Sequence, residues 1–359
     1  MTTVVVTGSA GRIGRRVVRL LERRPGIDEV IGLDSVQMGP ASERAARRRV
    51  DIEHGGTELV EALRRADVLV HLARTTGDPD DEVARARNRR TLDSVLTAAA
   101  EAGVRHVVVI SSALVYGAWA NNAVPLAEVT PLRPNPGFSY GVDAAELERV
   151  VGEWAGINGR GLTVLRPAPA VGERSSSWIG RAMQAAARVR VGTADPPVQF
   201  LHVDDLAAAV AVAVEKRLDG AFNVAPDGWI SGDELRALQA ARPRIWFPEP
   251  VAERISALRS RRARRPMPAG LLPYTMHPCV IANDRLRAEG WTPQLTNEES
   301  FVVADEPPPW ASMNAHQRQV VSLAITGLVL AAGVTGLVFL VRWLRRRAAE
   351  AGVLFGDAP

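Results

Sequence analysis

The stretch TVVVTGSAGRIGRRVVRLL, residues 3–21, decides the fold of this chain. Residues 3–7 form a β-branched run typical of a buried strand, and the residues after Gly14 are apolar at helical spacing. Gly8, Gly11 and Gly14 lie between these two segments. In a strand–turn–helix unit such glycines allow a tight turn, close approach of a ligand and close packing of the helix, whose N-terminus attracts an anion. We therefore expect a βα unit that binds a pyrophosphate.

A carboxylate follows the second predicted strand at the spacing of a dinucleotide site. The strand Val30–Leu33 ends in Asp34, about twenty residues after the last glycine. Asp34 would accept hydrogen bonds from ribose hydroxyls and repel a 2′-phosphate, whereas Arg12 in the glycine loop would partly favour that phosphate. We predict NAD in preference to NADP; the alternative is a loop of turn glycines with an N-capping Asp. The residues predicted to contact NAD here are Gly8, Gly11, Arg12, Ile13, Gly14 and Asp34.

Composition restricts the class of protein. The chain has 359 residues, a net charge of +4 and one cysteine, Cys279, so an intrachain disulfide is impossible. No Cys/His cluster has metal-ligand spacing, and we predict no metal site. The N-terminus lacks the pattern of a signal peptide, which predicts a reducing cytoplasm. Alternating strands and helices in the first half indicate an α/β fold.

Further strands follow in the order of a doubly wound sheet. After Asp34 we expect an Arg-rich helix and then a third strand ending at residues 50–52, where Asp51 would meet an adenine. A solvated loop carboxylate is nearly as good an interpretation of Asp51. The fourth strand, residues 67–73, places small residues beside the cofactor, and His71 within it is interpreted as structural rather than catalytic.

The next elements bring polar residues to the carboxyl end of the sheet. A helix over residues 84–102 leads to a fifth strand over 106–110, which runs into Ser111 and Ser112. Open α/β sheets bind their ligands at this end of the strands. Another helix opens within residues 138–146, and a sixth strand covers residues 162–165.

Several short motifs occur in a fixed order along residues 1–303. They are T-G-x-x-G-x-x-G, Asp34, Asp51-Ile52, His71-Leu72-Ala73, Asn88, S-S-A-L-V-Y-G at 111–117, Tyr140 with Glu146, and Arg166-Pro167. In this order they resemble the extended short-chain dehydrogenase/reductases, and within these the NAD-dependent epimerase/dehydratase family that acts on nucleotide sugars. The resemblance implies that NAD is also contacted by Asp51, Ile52, Leu72, Ala73, Asn88 and Tyr140.

The resemblance also implies a domain organisation. The fold class is α/β, a Rossmann doubly wound parallel sheet with a small, discontinuous C-terminal substrate lobe. We assign residues 1–172 to the NAD-binding Rossmann domain, with residues 200–218 returning to it. Residues 173–303 are assigned to the substrate lobe.

The catalytic residues implied by the resemblance are incomplete. Family enzymes use a Ser, a Tyr and a Lys, the last two spaced Y-x-x-x-K. By position Ser112 is the serine and Tyr140 the tyrosine, but Ala144 stands where the lysine belongs. That lysine lowers the pKa of the phenol in the family, and Arg149 or Arg166 are candidates to supply the charge instead.

Two functions therefore stay open. The first is an oxidoreductase or epimerase that moves a hydride on a nucleotide sugar or a related hydroxyl substrate. The second is a non-catalytic NAD-binding sensor or scaffold at the membrane, because the lysine is missing.

The C-terminal segment predicts a membrane anchor. A Pro-rich linker at 304–318 leads to a transmembrane helix at 319–342 and a basic tail at 343–359. The uncharged run 320–341 would span about 33 Å, enough for a bilayer core; a buried soluble helix is the alternative. We expect a cytoplasmic domain, although the positive-inside rule would keep the arginine-bearing tail inside. Small residues spaced four apart are compatible with a homodimer, and no nucleic-acid motif accompanies the basic residues.

Overall fold

A seven-stranded parallel sheet forms the centre of the computed structural model, which describes residues 2–36, 45–75, 81–157, 159–172, 177–238, 245–252, 254 and 269–304. The strands are β1 Thr3–Thr7, β2 Glu29–Asp34, β3 Ala45–Arg49, β4 Val68–His71, β5 His106–Ile110, β6 Gly161–Pro167, β7 Ala170–Val171, β8 Val189–Val191, β9 Leu201–His202, β10 Gly220–Val224 and β11 Ile245–Phe247. The α-helices are α1 Arg12–Leu21, α2 Thr57–Leu63, α3 Glu82–Glu101, α4 Ser139–Gly156, α5 Trp178–Ala187, α6 Val203–Lys216, α7 Gly232–Leu238, α8 Asp284–Ala288 and α9 Asn297–Val303.

The order of the strands places a crevice at the middle of the sheet. The order is β3-β2-β1-β4-β5-β6-β10, and every neighbouring pair is parallel. The chain runs outward from β1 through β2 to β3 and then returns to the other side of β1 as β4. Ligands of open α/β sheets bind outside the carboxyl ends at this reversal. Thr7 at the end of β1 pairs with His71 at the end of β4, so the two loops that follow lie side by side.

The strands are buried on both faces because helices cover both. Val4 and Val6 of β1 pack into one core cluster with α1 and α6, while Val5 packs into another with α2 and α3. All three valines are fully buried. Such continuous apolar strands are typical of parallel sheets, and the expectation of a Rossmann-like parallel sheet is confirmed.

The third predicted strand lies at the edge of the sheet. Residues 45–49 form β3, which pairs in parallel with β2 and ends one residue before the predicted end at residues 50–52. Residues 37–44, where an Arg-rich helix was expected, lie outside the described residues. The free edge of β2 offers backbone hydrogen bonds, and Ala45 buries its side chain against the sheet. Arg48 and Arg49 remain exposed, as charged residues commonly are on edge strands.

The C-terminal part builds smaller elements next to the sheet. Two short parallel pairs, β7 with β9 and β8 with β11, lie in this part, together with a 3-10 helix over Ala269–Thr275. Residues 220–224, which the sequence division gives to the substrate lobe, form β10 and pair with β6 of the main sheet. That stretch therefore belongs to the Rossmann sheet.

The predicted membrane anchor lies outside the described residues. By its contacts the chain separates into a unit of residues 1–305 and a second unit of residues 306–359. Residues 306–318 of the predicted linker, the predicted transmembrane helix at 319–342 and the basic tail fall in the second unit. Among the described residues, no helix is long and apolar enough to cross a membrane.

Candidate functional site

The glycine loop between β1 and α1 is packed so closely that two of its positions have no space for a Cβ. Gly8 has φ +71°, and a Cβ built on it would lie 2.6 Å from the backbone nitrogen of Ala73 in the loop after β4. A Cβ on Gly14 would lie 2.2 Å from the carbonyl oxygen of Gly8. The glycine loop is thus packed against the loop after β4 and against the first turn of α1. A pyrophosphate-binding turn needs this close packing.

The first turn of α1 faces this loop with positive potential. The helix begins at Arg12 after Gly11, and its first turn contains no acidic residue. The first N–H groups of an α-helix have no partner within the helix, and the helix dipole adds positive charge there. Arg12 and Ile13 supply the first of these N–H groups. Together with the Cβ-free cradle, this end of the helix fits a dinucleotide's phosphates.

Asp34 at the end of β2 holds the glycine loop. One carboxylate oxygen accepts a hydrogen bond from the backbone N–H of Ala10 at 2.9 Å, and the other accepts from Val36 at 3.2 Å. A carboxylate has about four acceptor positions, so these two bonds leave capacity for ribose hydroxyls. The contact of Asp34 with a ribose stays a prediction.

Asp51 is engaged by its own turn. Its carboxylate accepts from the backbone N–H groups of Glu53 and His54 at 3.1 Å, and its other oxygen lies 2.8 Å from Nδ1 of His54. The hydrogen bond from the His54 side chain is the main cause that lowers the pKa of Asp51. Ile52 beside it is buried. The contact of both residues with adenine stays a prediction.

His71 is a buried, neutral residue at the end of β4, beside the end of β1. Its Nδ1 lies 2.9 Å from the hydroxyl of Thr7. Burial, with a contribution from the nearby charge of Arg74, lowers the pKa of His71 from 6.5 to about 4. The side chain is therefore uncharged at neutral pH and joins the ends of the two central strands.

Asn88 of α3 fixes the loop that follows β4. Its side-chain oxygen accepts from the backbone N–H of Thr75 at 2.8 Å, and its side-chain nitrogen donates to the carbonyl of Thr75 at 3.1 Å. Leu72 at the start of the same loop donates its N–H to Thr7. The loop is held at both ends, with Ala73 and Arg74 between them.

Ser112 and Tyr140 come from two elements that pack directly on each other. Ser112 begins a short 3-10 helix over Ala113–Tyr116, where its hydroxyl accepts from the N–H of Leu114 at 3.2 Å. Tyr140 lies in the first turn of α4. The next residue, Gly141, approaches so closely that an added Cβ would lie 2.9 Å from the carbonyl oxygen of Leu114.

Tyr140 is half-buried in an aromatic setting with a cation above it. Its ring lies 6.0 Å from that of Phe138 and 6.5 Å from that of Trp178. The guanidinium carbon of Arg74 lies 5.0 Å from the centre of the Tyr140 ring. Sequence reasoning missed Arg74, although a charged residue directly after the His71–Ala73 strand end was the available signal.

Neither arginine proposed from the sequence as a substitute for the lysine is free to serve. Arg149 pairs on the surface with Glu146 and Glu153 at 2.6 and 2.5 Å. Arg166 is buried in a pair with Glu148 at 2.7 Å. Ala144, at the lysine position, is fully buried in the core.

Arg166 instead organises a polar network under the site. Its guanidinium binds Glu148 and donates to the hydroxyl of Tyr116 at 2.8 Å, and that hydroxyl donates to Asn223 at 2.8 Å. Ser111 donates to the same carboxylate at 2.5 Å. Burial opposes the charge on Arg166, but Glu148 more than offsets this effect, so the pKa of Arg166 is raised. The network ties α4 and the 3-10 helix to β6 and β10.

A series of contacts links some of the predicted residues. Gly8 touches the loop after β4, Arg74 of that loop covers Tyr140, and the turn of Tyr140 packs on the turn of Ser112. These residues lie at the carboxyl ends of β1, β4 and β5. In the described part of the chain, no group of His, Cys, Asp and Glu residues is arranged to hold a metal ion.

Comparison with known proteins identifies similar chains. Residues 4–225, more than half of the chain, match the family model described as NAD dependent epimerase/dehydratase family. A 3-diazoavenalumate denitrifying reductase from Streptomyces sp is 28% identical over 318 residues, which cover 81% of this chain and 95% of that relative.

Solved structures share the fold. A UDP-glucose 4-epimerase from Thermus thermophilus in complex with NAD has a TM-score of 0.61 at 22% identity, covering 84% of this chain and 97% of that one. A dTDP-glucose 4,6-dehydratase double mutant from Streptomyces venezuelae, with NAD and DAU bound, has a TM-score of 0.61 at 21% identity, covering 84% and 95%. At these identities the likeness concerns the fold.

Proposed function

We propose a function on the basis of the family match, which shows that the chain belongs to the NAD dependent epimerase/dehydratase family. The proposed function is hydride transfer with NAD on a nucleotide sugar or a related hydroxyl substrate, as an oxidoreductase or epimerase. The observation that carries it is the continuous contact from Gly8 through the loop after β4 to Tyr140 and the turn of Ser112. This contact supports the proposal that the glycine loop would hold the phosphates beside Ser112 and Tyr140, which would transfer the proton.

The cofactor site is proposed on the glycine loop. The Cβ-free surface of Gly8 and Gly14 and the N–H groups that begin α1 would hold the diphosphate, and Asp34 would accept from the ribose hydroxyls. A negative charge at Asp34 disfavours a 2′-phosphate, which supports NAD over NADP. A bound nicotinamide supplies the hydride acceptor or donor.

The chain's own residues would handle the proton. The hydroxyl of Ser112 would hold the substrate oxygen by a hydrogen bond, and the phenol of Tyr140 would take the proton from that oxygen or return it. General acid–base catalysis by one positioned group contributes roughly 10²–10⁴ in rate. The half-buried, largely apolar surroundings of Tyr140 would exclude water from this transfer.

The substrate class rests on the comparisons. Both solved structures named above carry nucleotide-sugar activities in their descriptions, which supports a nucleotide sugar. The curated relative is a reductase, and Trp178 beside Tyr140 offers a flat apolar surface. Net reduction of a smaller substrate is therefore the second candidate.

The test uses the full-length chain, purified in mild detergent. It is incubated with NAD and a panel of UDP- and dTDP-sugars, and products are followed by chromatography while NADH is followed by absorbance. Turnover that falls at least about 100-fold in Tyr140→Phe and Ser112→Ala, with NAD binding retained, supports the proposal. Absence of turnover with NAD bound favours the sensor or scaffold function that Ala144 suggests.

We further propose that residues 319–342 anchor the protein in a membrane, with its enzymatic domain in the cytoplasm. The support is the uncharged run of 22 residues, 320–341, followed by four arginines among residues 342–347. Membrane fractionation of the full chain and of a chain ending at 305 tests this proposal. Equal amounts of both chains in the soluble fraction would contradict it.

A further inference from the structure

We propose that Arg74 is a positioning residue that stabilises the ionised form of Tyr140, in place of the lysine that this chain lacks. The inference deepens the proposed function, because it concerns the same proton-transferring phenol. It begins from the stacking of the Arg74 guanidinium over the Tyr140 ring, at 5.0 Å from the ring centre.

The ion pairs among the described residues leave the charge of Arg74 available for this role. Among the residues that the structure describes, no acidic side chain forms an ion pair with Arg74, whereas Arg85 close by is held by both oxygens of Asp143 at 2.7 Å. The charge of Arg74 is felt in the site, since it contributes to the lowered pKa of His71. Its field therefore acts on the groups beside it.

Hydrogen bonds on both sides of Arg74 hold the loop from which it projects. Asn88 binds both backbone polar groups of Thr75, the next residue, and Leu72 is bound to the end of β1. Arg74 thus projects from a short segment that is hydrogen-bonded on both sides. The backbone of the same segment, at Leu72 and Ala73, packs against Gly8.

A cation in this position favours ionisation of the phenol. Losing the proton places negative charge on the oxygen and the ring, and a guanidinium over the ring face binds the anion more strongly than the neutral phenol. Arginine suits the geometry, because its planar group stacks on aromatic faces and remains charged at any working pH.

The other titratable groups packed around Tyr140 do not provide this effect. On the neighbouring elements, His71 is neutral above a pH of about 4, and burial raises the pKa of Cys279 to about 12 and that of Tyr274 well above its usual value. On α3 and α4, Arg85 is paired with Asp143 and Arg149 with Glu146. On α5, Arg181 already interacts with another group.

The test reads the phenol directly and needs no turnover. The chain has three tyrosines, Tyr116, Tyr140 and Tyr274, so full-length protein labelled with ¹³C at the tyrosine ring carbon bearing oxygen gives three signals. Tyr140→Phe identifies the signal of interest by its loss. The midpoint of its pH titration is then compared in wild type, Arg74→Gln, Arg74→Lys and a control on the exposed surface, Arg149→Gln.

Each outcome decides the proposal. A midpoint that is higher in Arg74→Gln, restored towards wild type in Arg74→Lys and unchanged in Arg149→Gln, supports it. An unchanged midpoint in Arg74→Gln overturns it, as does an equal shift in both glutamine variants. If the wild type proves active, the low-pH limb of its kcat/KM profile moves in the same direction in Arg74→Gln. If it proves inactive, the titration still tests Arg74, so the two proposals fail separately.

Discussion

The buried pair of Arg166 and Glu148 gives the sharpest prediction of stability. The side chains are only 8% and 7% exposed, and the carboxylate accepts from the guanidinium and from Ser111. Glu148→Gln keeps the shape but leaves the charge of Arg166 uncompensated. Breaking a buried pair in this way costs about 3–5 kcal/mol.

The expected change in melting temperature follows from the size of the folded unit. With about 2.1 cal/mol/K of unfolding entropy per residue over roughly 300 residues, the loss lowers Tm by about 5–8 °C. Thermal unfolding of the full-length chain, followed by tryptophan fluorescence, measures this change.

A matched control lies two residues away on the same helix. Glu146 also pairs with an arginine, Arg149, at 2.6 Å, but the two side chains are 46% and 54% exposed. Exposed pairs contribute little to stability, so Glu146→Gln should leave Tm nearly unchanged. Equal losses of Tm in Glu146→Gln and Glu148→Gln would refute the reasoning that burial sets the cost.

Three further predictions concern the crevice. The pKa of His71 is about 4 in the folded protein and 6.5 in the unfolded chain, so between these pH values the folded state binds fewer protons than the unfolded state. Tm should therefore fall as the pH drops from about 6.5 to about 4, and the fall should be smaller in His71→Asn. A pH series of melting curves checks this; identical slopes would contradict it. Asp34→Asn, which can still accept from Ala10, should reduce the preference for NAD over NADP by about tenfold, and calorimetry with both nucleotides would reveal an unchanged preference. Asn88→Ala removes both bonds to Thr75 and should destabilise the protein by about 1 kcal/mol; an unaltered Tm would count against the proposed bracing of the loop.

Predictions from the sequence were most accurate where a local sequence pattern matches the burial of the element that it forms. The strand over residues 3–7 and the strand over 106–110 have the predicted bounds, because β-branched runs between turn signals suit buried parallel strands. The glycine spacing likewise predicted the turn after β1. These features depend on neighbours in the chain.

The errors lie where distant partners decide the structure. Residues 220–224, which the sequence division gives to the substrate lobe, form a strand beside β6 of the main sheet, and no local pattern records that pairing. The cation near Tyr140 was sought at Arg149 and Arg166, but the residue found there is Arg74 of the loop after β4. That contact joins positions 66 residues apart, and spacing along one helix could not reveal it.

Calorimetric titration of the full-length chain with NAD tests whether the glycine loop binds a dinucleotide. We expect the wild type to bind NAD and Gly14→Ala to bind it at least about tenfold more weakly, because the added Cβ would lie 2.2 Å from the carbonyl oxygen of Gly8. Gly152→Ala in α4, whose Cβ would meet no atom within 4 Å, should bind NAD as the wild type does. Absence of binding heat for both NAD and NADP with wild-type protein, or unchanged affinity in Gly14→Ala, would contradict a dinucleotide site on this loop.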